Sequence, residues 1–292
     1  MSTNWDGSLE SVIALALAED LDERGDVTAA STVPEQARFS GRFVARQPGV
    51  AAGVAAIAAT YAQVDPAVTV EPVARDGDPL EPGSVVATVS GPARSVLTGE
   101  RTALNLLGHL CGVATTTRAY VRAVGGSSAV VRDTRKTLPG LRALQKAAVV
   151  AGGGTNHRRS LSDGVLVKDN HVAAAGGVAA ATRAALAAAG AGSVQVEVDD
   201  LGELDEALAA GARSVLVDNF AIPDLRAAVA RCAAVEGGVF LEASGGVTLD
   251  TVAEIAATGV DAIAVGALTH SVPALDIGLD LDPGGERDAA GR

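Results

Sequence analysis

Aromatic residues are scarce in this chain, and so are cysteines and long uninterrupted hydrophobic runs. Only 2% of the 292 residues are aromatic, although 48% are hydrophobic. The core must therefore be built from small aliphatic side chains, as buried parallel strands and closely packed helices allow. A hydrophobic fraction this high excludes a disordered protein, and the length fits one large domain or two ordinary ones.

The two cysteines, Cys111 and Cys232, lie far apart and show no metal-ligand spacing. Neither a disulfide scaffold nor a zinc site is expected, and a reduced cytoplasm is the expected compartment. The N-terminal segment lacks the basic region and apolar run of a signal peptide. The apolar stretches near residues 49–62 and 172–191 are too short, or interrupted by Arg183, to predict a membrane span.

Positive charge is in the minority, with 23 Lys and Arg against 35 Asp and Glu and a net charge of −12. This balance argues against binding to nucleic acid or an anionic membrane. Residues 132–168 reverse it, because they contain many Lys and Arg residues but only Asp133 and Asp163 as acids. Such a segment fits a pocket for small polyanions or a solvated basic surface, and composition does not decide between them.

The chain changes its pattern near residue 129. Before it, a helical pattern at 8–20 and short alternating runs bounded by Pro and Gly predict a small α/β or α+β arrangement, followed by a long helix over 95–121. After it, six β-rich runs beginning at residues 129, 165, 194, 214, 239 and 262 alternate with Ala-rich helical segments. Six such units favour an α/β fold with an incomplete (β/α) barrel. An open doubly wound sheet remains an alternative, because periodicity does not show closure.

Charged or glycine-rich segments follow all six runs. Functional residues of βα barrels lie where the strands end, so these segments predict one active-site rim. They are residues 133–136, 168–171, 197–199, 218–219, 242–246 and 266. Ser244 to Gly246 and Gly266 follow the last two runs and predict phosphate binding, although ordinary glycine turns are the alternative.

Two carboxylates, Glu197 and Asp218, end neighbouring predicted strands. They can hold a hydrated Mg²⁺ or contact sugar hydroxyls, or they can pair with nearby Arg and Lys side chains. His109 is expected to be a packed helix residue rather than a ligand. The chain has no Gly-x-Ser-x-Gly motif, so covalent serine chemistry has no support.

Three segments together resemble the quinolinate phosphoribosyltransferase family. They are DTRKTLPGLR at 133–142, GGGTNHR at 152–158 and KDNH at 168–171. The segments at 18–28 and 100–105, with Glu197, Asp218-Asn219 and Ser244 to Gly246, fit the same family. The resemblance spans nearly the whole chain, and together the motifs are highly specific.

The resemblance implies a type II phosphoribosyltransferase. Its N-terminal open-faced α/β sandwich domain would occupy residues 1–110 and its C-terminal incomplete α/β barrel residues 111–270. Residues 271–292 would return to the first domain and end in a flexible tail. The implied reaction combines quinolinate with phosphoribosyl pyrophosphate and Mg²⁺ to give nicotinate mononucleotide, pyrophosphate and CO2, in NAD synthesis. The implied assembly is a homodimer, or an assembly of dimers, with shared active sites.

The resemblance also implies roles for single residues. The implied quinolinate ligands are Arg101 from the neighbouring subunit, Arg135, His157, Arg158 and Lys168, and planar Arg side chains suit a dicarboxylate. Lys136, Glu197 and Asp218 are the implied catalytic residues, the two carboxylates acting with Mg²⁺ on the pyrophosphate substrate. Ser244, Gly245, Gly246 and Gly266 are implied to cradle phosphate.

Three rival interpretations remain at this stage. A relative with the same architecture could use another substrate, as a nicotinate-type phosphoribosyltransferase or the family's molybdenum-transport-associated branch does. The full set of dicarboxylate ligands favours quinolinate. A non-catalytic binding protein predicts loss of Lys136, Glu197 or Asp218, and all three are present. A generic barrel isomerase or aldolase leaves the 133–142 segment unexplained.

Overall fold

The computed structural model describes residues 6–282, and the side chains from residue 9 onward. Of the predicted flexible tail at 282–292, all but Asp282 lies outside the described residues. The helices are α1 (Asp6–Leu21), α2 (Val27–Thr32), α3 (Ala55–Val64), α4 (Ala93–Ala123), α5 (Arg142–Ala151), α6 (Asp169–Ala175), α7 (Val178–Ala189), α8 (Leu201–Ala209), α9 (Ile222–Ala233), α10 (Val252–Ala256) and α11 (Ala267–His270). The strands are β1 (Arg38–Ala45), β2 (Gly49–Val50), β3 (Thr69–Pro72), β4 (Pro79–Leu80), β5 (Val85–Pro92), β6 (Val130–Arg132), β7 (Val165–Val167), β8 (Val194–Val198), β9 (Ser214–Asp218), β10 (Phe240–Ser244), β11 (Ala262–Ala264) and β12 (Ile277–Asp282).

The described chain forms two compact units that differ from the predicted ranges. The first contains the residues up to Arg118, Thr137–Gly153 and the residues from Thr269 onward, and the second contains Ala119–Lys136 and Gly154–Leu268. The predicted boundary at 110/111 falls inside α4. Residues 142–151 lie in the range predicted for the barrel, but they form α5, which packs with the first unit, because Gln145 Nε2 donates to the carbonyl of Thr269 at 2.6 Å and lies 2.9 Å from His109 Nε2. His109 is thus a packed helix residue, and burial lowers its pKa.

The first unit is built on an antiparallel sheet of four strands in the order β12-β1-β5-β3. β12 pairs with β1, so the end of the described chain returns to this sheet. The core contains Phe43 from β1, Ile57 and Tyr61 from α3, and Leu107 from α4. The rings of Phe43 and Tyr61 meet edge to face at 6.4 Å, and the Tyr61 hydroxyl donates to the carbonyl of Val96 at 2.9 Å. This hydrogen bond satisfies the polar end of a fully buried aromatic side chain.

The second unit is a parallel sheet of six strands in the order β6-β11-β10-β9-β8-β7. The first strand of the unit thus lies beside the last, as in a barrel, whereas an open doubly wound sheet places its first strand in the interior. Among the described residues β6 and β7 do not pair with each other, and Arg132 of β6 instead forms a single parallel bridge with Thr155, in the segment that leads to β7. The order confirms the incomplete barrel and excludes the doubly wound alternative.

The helices of the second unit follow local sequence signals. The Asp200 side chain begins α8 by accepting from the N–H groups of Gly202 and Glu203, which satisfies two donors that the first turn leaves unpaired. Gly190 ends α7 with a φ of +76°, a conformation that glycine adopts without strain. Among the described residues no single helix is long and apolar enough to cross a membrane; α6 and α7 pass that test only as a pair bent by 95°.

Candidate active site

A cavity of about 480 Å³ lies where the barrel strands end. Its lining residues all belong to the second unit and are Thr134, Arg135, Lys136, His157, Arg158, Leu166, Lys168, Asp169, Glu197, Leu216, Asp218, Ser244 and Ala264. The structure therefore brings together most of the predicted site. The exceptions are Arg101 and the three glycines Gly245, Gly246 and Gly266.

Strand register explains why these side chains converge. Alternate residues of each strand face the barrel interior, and the parallel ladders align them from strand to strand. Asp218 at the end of β9 pairs with Ser244 at the end of β10, and Glu197 on β8 pairs with Leu216 on β9. Each of these residues lines the cavity, so the register of the ladders places them on one inner wall.

Four cationic side chains line the cavity, namely Arg135, Lys136, Arg158 and Lys168. Arg158 Nη1 donates to the carbonyl of Gly164 at 2.9 Å, which orients its guanidinium. Burial lowers the pKa of Arg158, the nearby Arg135 lowers it further, and Glu197 opposes both effects. An arginine remains protonated despite such a shift, so the cavity keeps the cationic fork that a carboxylate requires.

The two predicted carboxylates have different partners. Glu197 forms an ion pair with Lys168 across the cavity wall, and its side chain is only 13% exposed. Asp218 accepts a hydrogen bond from the side-chain amide of Asn219 at 2.8 Å. The expectation that nearby basic groups pair with these carboxylates is therefore correct for Glu197.

The fit of a divalent cation can be judged from these donors. Within residues 6–282 no group of three or more His, Cys, Asp and Glu side chains could hold a metal ion. Mg²⁺ usually takes one or two carboxylates and completes its shell with water and substrate phosphates. Glu197 and Asp218 on one cavity wall fit that mode, whereas an all-protein cage is not present among the described residues.

The loops after β9 and β10 approach each other closely. The backbone N–H of Asn219 donates to the carbonyl of Ser244 at 2.9 Å. Gly245 has a φ of +90°, and a Cβ there would lie 2.3 Å from Asn219 Oδ1 and 2.7 Å from Asn219 N. Gly245 is thus required by the meeting of the two loops. Gly246 (φ +59°) continues the loop after β10, and Gly266 lies between β11 and α11; neither lines the cavity.

Arg101 belongs to the first unit, whereas the residues that line the cavity belong to the second. It is exposed on α4 in the first unit and is not among the residues that line the cavity. The basic segment 132–168 is likewise divided, because Arg142 and Lys146 belong to the first unit.

One rim prediction is wrong. Glu242 was expected where its strand ends, but β10 continues to Ser244 and the Glu242 side chain is fully buried in the barrel. There it contacts Arg132 and Gln195, of which Gln195 was not predicted to take part. The missed signal is the alternation itself: Gln195 lies two residues before Glu197, and Glu242 two before Ser244, on the same inward faces.

Comparisons with known proteins agree with this geometry. The family model described as the quinolinate phosphoribosyl transferase C-terminal domain matches residues 113–280, and that of the N-terminal domain matches residues 26–111. The chain is 50% identical over 271 residues to a nicotinate-nucleotide pyrophosphorylase [carboxylating] of Mycobacterium leprae, covering 92% of this chain and 95% of that protein. It is 39% identical to a quinolinate phosphoribosyltransferase [decarboxylating] of Nicotiana tabacum, covering 94% of this chain and 82% of that protein.

The fold of the chain is also similar to that of a solved family structure. The crystal structure of a nicotinate-nucleotide pyrophosphorylase from Ehrlichia chaffeensis superposes with a TM-score of 0.88 at 34% identity, covering 93% of this chain and 98% of that one. Together the two domain models match residues 26–111 and 113–280, and the second range includes every residue that lines the cavity. The chain therefore belongs to the quinolinate phosphoribosyltransferase family.

Proposed function

We propose that this protein transfers the phosphoribosyl group from phosphoribosyl pyrophosphate to quinolinate with Mg²⁺, releasing pyrophosphate and CO2 and forming nicotinate mononucleotide for NAD synthesis. One observation carries the proposal: a single cavity collects four cations and three carboxylates, among them Glu197 and Asp218, which the family resemblance implies. The names of the relatives support the same reaction.

The cationic side of the cavity suits a dicarboxylate. Arg135, Arg158 and Lys168 offer charge-assisted donors to the two carboxylates of quinolinate. The pyridine nitrogen carries a lone pair and needs no general base. The His157 ring is not left free to act as a base, because the Arg158 N–H donates to its Nδ1 at 2.7 Å and its Nε2 lies 2.9 Å from Gln195 Oε1. Both ring nitrogens are thus engaged by the protein, and the imidazole orients its segment.

The opposite side suits the phosphoribosyl donor. Lys136 and Ser244 can bind its phosphate oxygens, while Asp218 and Glu197 face the ribose and the departing pyrophosphate. A bound Mg²⁺ would neutralise charge on the pyrophosphate. Catalysis then depends on positioning and on electrostatic support of an oxocarbenium-like ribosyl centre.

The bond changes balance without another cofactor. The pyridine nitrogen forms a bond to the ribose C1′ as the bond to pyrophosphate breaks. The resulting pyridinium accepts electron density when the adjacent carboxylate leaves as CO2, and the ring carbon then takes up a proton. Cationic side chains that hold the remaining carboxylate keep the ring in place during this second step.

The direct test supplies quinolinate, phosphoribosyl pyrophosphate and Mg²⁺ and measures nicotinate mononucleotide and CO2, with nicotinate as the matched control substrate. Product from quinolinate but not from nicotinate is expected. Product only from nicotinate would move the chain to the sister activity, and no product from folded protein would favour a binding role. Removal of divalent cations with a chelator is expected to abolish turnover, and added Mg²⁺ to restore it.

We also propose that the protein works in the cytoplasm as a homodimer, or an assembly of dimers, with Arg101 supplied to the partner's site. The free and buried cysteines Cys111 and Cys232 are compatible with a reducing compartment. The exposure of Arg101 leaves it available to a second copy.

A further inference from the structure

The barrel interior carries a charged and hydrogen-bonded network directly beneath the catalytic cavity. Interiors of such barrels are usually filled by branched aliphatic side chains. Here Arg132 on β6, Gln195 on β8 and Glu242 on β10 face inward instead. Arg132 Nη1 and Gln195 Nε2 both donate to Glu242 Oε2, at 2.8 Å and 2.9 Å.

This network reaches the loop that carries His157 and Arg158. Gln195 Oε1 lies 2.9 Å from His157 Nε2, and Arg132 Nη2 donates to the carbonyl of Asn156 at 3.2 Å. Because His157 Nδ1 accepts the Arg158 N–H, the neutral imidazole must carry its hydrogen on Nε2 and donate it to Gln195. Glu242 thus fixes the orientation of the Gln195 amide, which fixes the ring.

Packing alone does not fix this loop. Residues 156–158 lie outside any helix or strand, and His157 and Arg158 line the catalytic cavity and also a second cavity of about 480 Å³. Space on both sides means that hydrogen bonds must hold the segment. Asp133 supplies two of them, accepting from the Asn156 amide at 2.6 Å and from the His157 N–H at 2.8 Å.

Burial of the Glu242 carboxylate lowers the stability of the fold. It is fully buried, and its Oε1 atom has no hydrogen-bond partner among the described residues. A buried carboxylate with one unsatisfied oxygen destabilises a fold unless other interactions compensate. The cost indicates a role beyond filling the barrel.

We propose that Glu242 is a positioning residue for quinolinate recognition, acting through Gln195 and Arg132 to hold His157 and Arg158 at the catalytic cavity. The inference rests on the proposed function for its substrate. It assigns no contact between Glu242 and the substrate. Loss of Glu242 should therefore impair use of the dicarboxylate more than use of the phosphoribosyl donor.

The kinetic test uses Glu242→Gln, which keeps the shape and removes the charge beside Arg132. We expect the KM for quinolinate to rise about tenfold or more, while the KM for phosphoribosyl pyrophosphate changes by less than about twofold. The matched control is Thr182→Val on α7, whose buried hydroxyl also lacks a partner and which lines neither cavity. It should leave both KM values unchanged.

A double-mutant cycle separates positioning from folding. If Glu242 acts on His157 through Gln195, adding Gln195→Leu to Glu242→Gln should raise the quinolinate KM no further than the more impaired single variant does. Such non-additive KM values support the proposal, whereas effects that multiply independently would contradict it. Equal changes in both KM values with a lower unfolding temperature, or an unchanged quinolinate KM in Glu242→Gln, would overturn it.

A second readout does not depend on the substrate. Ring nitrogen chemical shifts from ¹⁵N-histidine NMR, with His157 identified by its loss in His157→Gln, should show the neutral Nε2–H form in the wild type. The single form should be lost in Glu242→Gln. An Nδ1–H form in the wild type would refute the network, whereas failure on quinolinate with the expected ring form would refute only the proposed function.

Discussion

Lys168 tests the role of single residues most directly, because its ammonium lines the cavity and pairs with Glu197. Replacing Lys168 or Arg135 by Ala removes a charge-assisted donor to a quinolinate carboxylate. We expect each variant to lower kcat/KM for quinolinate at least about tenfold, or about 1.4 kcal/mol of transition-state binding. Steady-state kinetics with saturating phosphoribosyl pyrophosphate measures the effect. Arg159→Ala is the control, since Arg159 does not line this cavity, and unchanged kinetics in Lys168→Ala would contradict the assigned role.

The residue types predicted which side chains line the cavity better than they predicted which side chains fill the barrel interior. Lys168 directly follows β7, and Asp218 and Ser244 are the last residues of β9 and β10, so their place on the rim could be inferred from alternation and strand direction alone. Alternation puts Glu242 on the same inward face as Ser244, but it does not show that β10 continues for two more residues and buries the carboxylate. Its burial depends on partners 47 and 110 residues away in sequence, and no local pattern shows that an Arg and a Gln will meet it.

Element boundaries were predictable where local signals are strong. The strands β7, β8, β9 and β11 begin at the predicted residues 165, 194, 214 and 262, because a glycine or a polar residue directly precedes each run. Helix α5 was not predicted. Its buried apolar residues Leu144, Ala148 and Val149 do share one face, but the helix has only 10 residues and no side-chain hydrogen bond at its N-cap to mark its start.

The contact between the loops after β9 and β10 gives a prediction at the scale of elements. Gly245→Ala places a methyl group 2.3 Å from Asn219 Oδ1, which must displace the loop that follows Asp218. We expect the KM for phosphoribosyl pyrophosphate to rise about tenfold, with a smaller change in the KM for quinolinate.

Gly176→Ala provides the control for this variant. Gly176 ends α6 with a φ of +84°, close to the +90° of Gly245, but a Cβ there meets nothing within 4 Å. Both variants therefore share the backbone strain, of about 1 kcal/mol, and only Gly245→Ala adds the steric clash. Equal kinetics in the two variants would show that the loop contact does not position the phosphoribosyl donor.

At the scale of the whole molecule, the sequence of βα repeats along the barrel could be predicted. Which compact unit each helix packs in could not. The barrel order follows from six successive βα units, and β6 beside β11 completes it. Helix α5 joins the first unit because Gln145 bonds to Thr269 and contacts His109. Those contacts connect segments far apart in sequence, and the hydrophobic periodicity of a single segment does not predict them.

A shared active site predicts that two inactive variants will complement each other. Arg101→Ala and Lys168→Ala should each be nearly inactive as pure proteins. In a mixed dimer one site would combine an intact cavity with an intact Arg101, so equal mixing with subunit exchange should restore about a quarter of wild-type activity. Mixing Arg135→Ala with Lys168→Ala is the control and should restore none, because both residues line the cavity of one chain. If Arg101 served its own subunit's cavity, the first mixture would remain as inactive as the second, and the proposed exchange of Arg101 between subunits would be wrong.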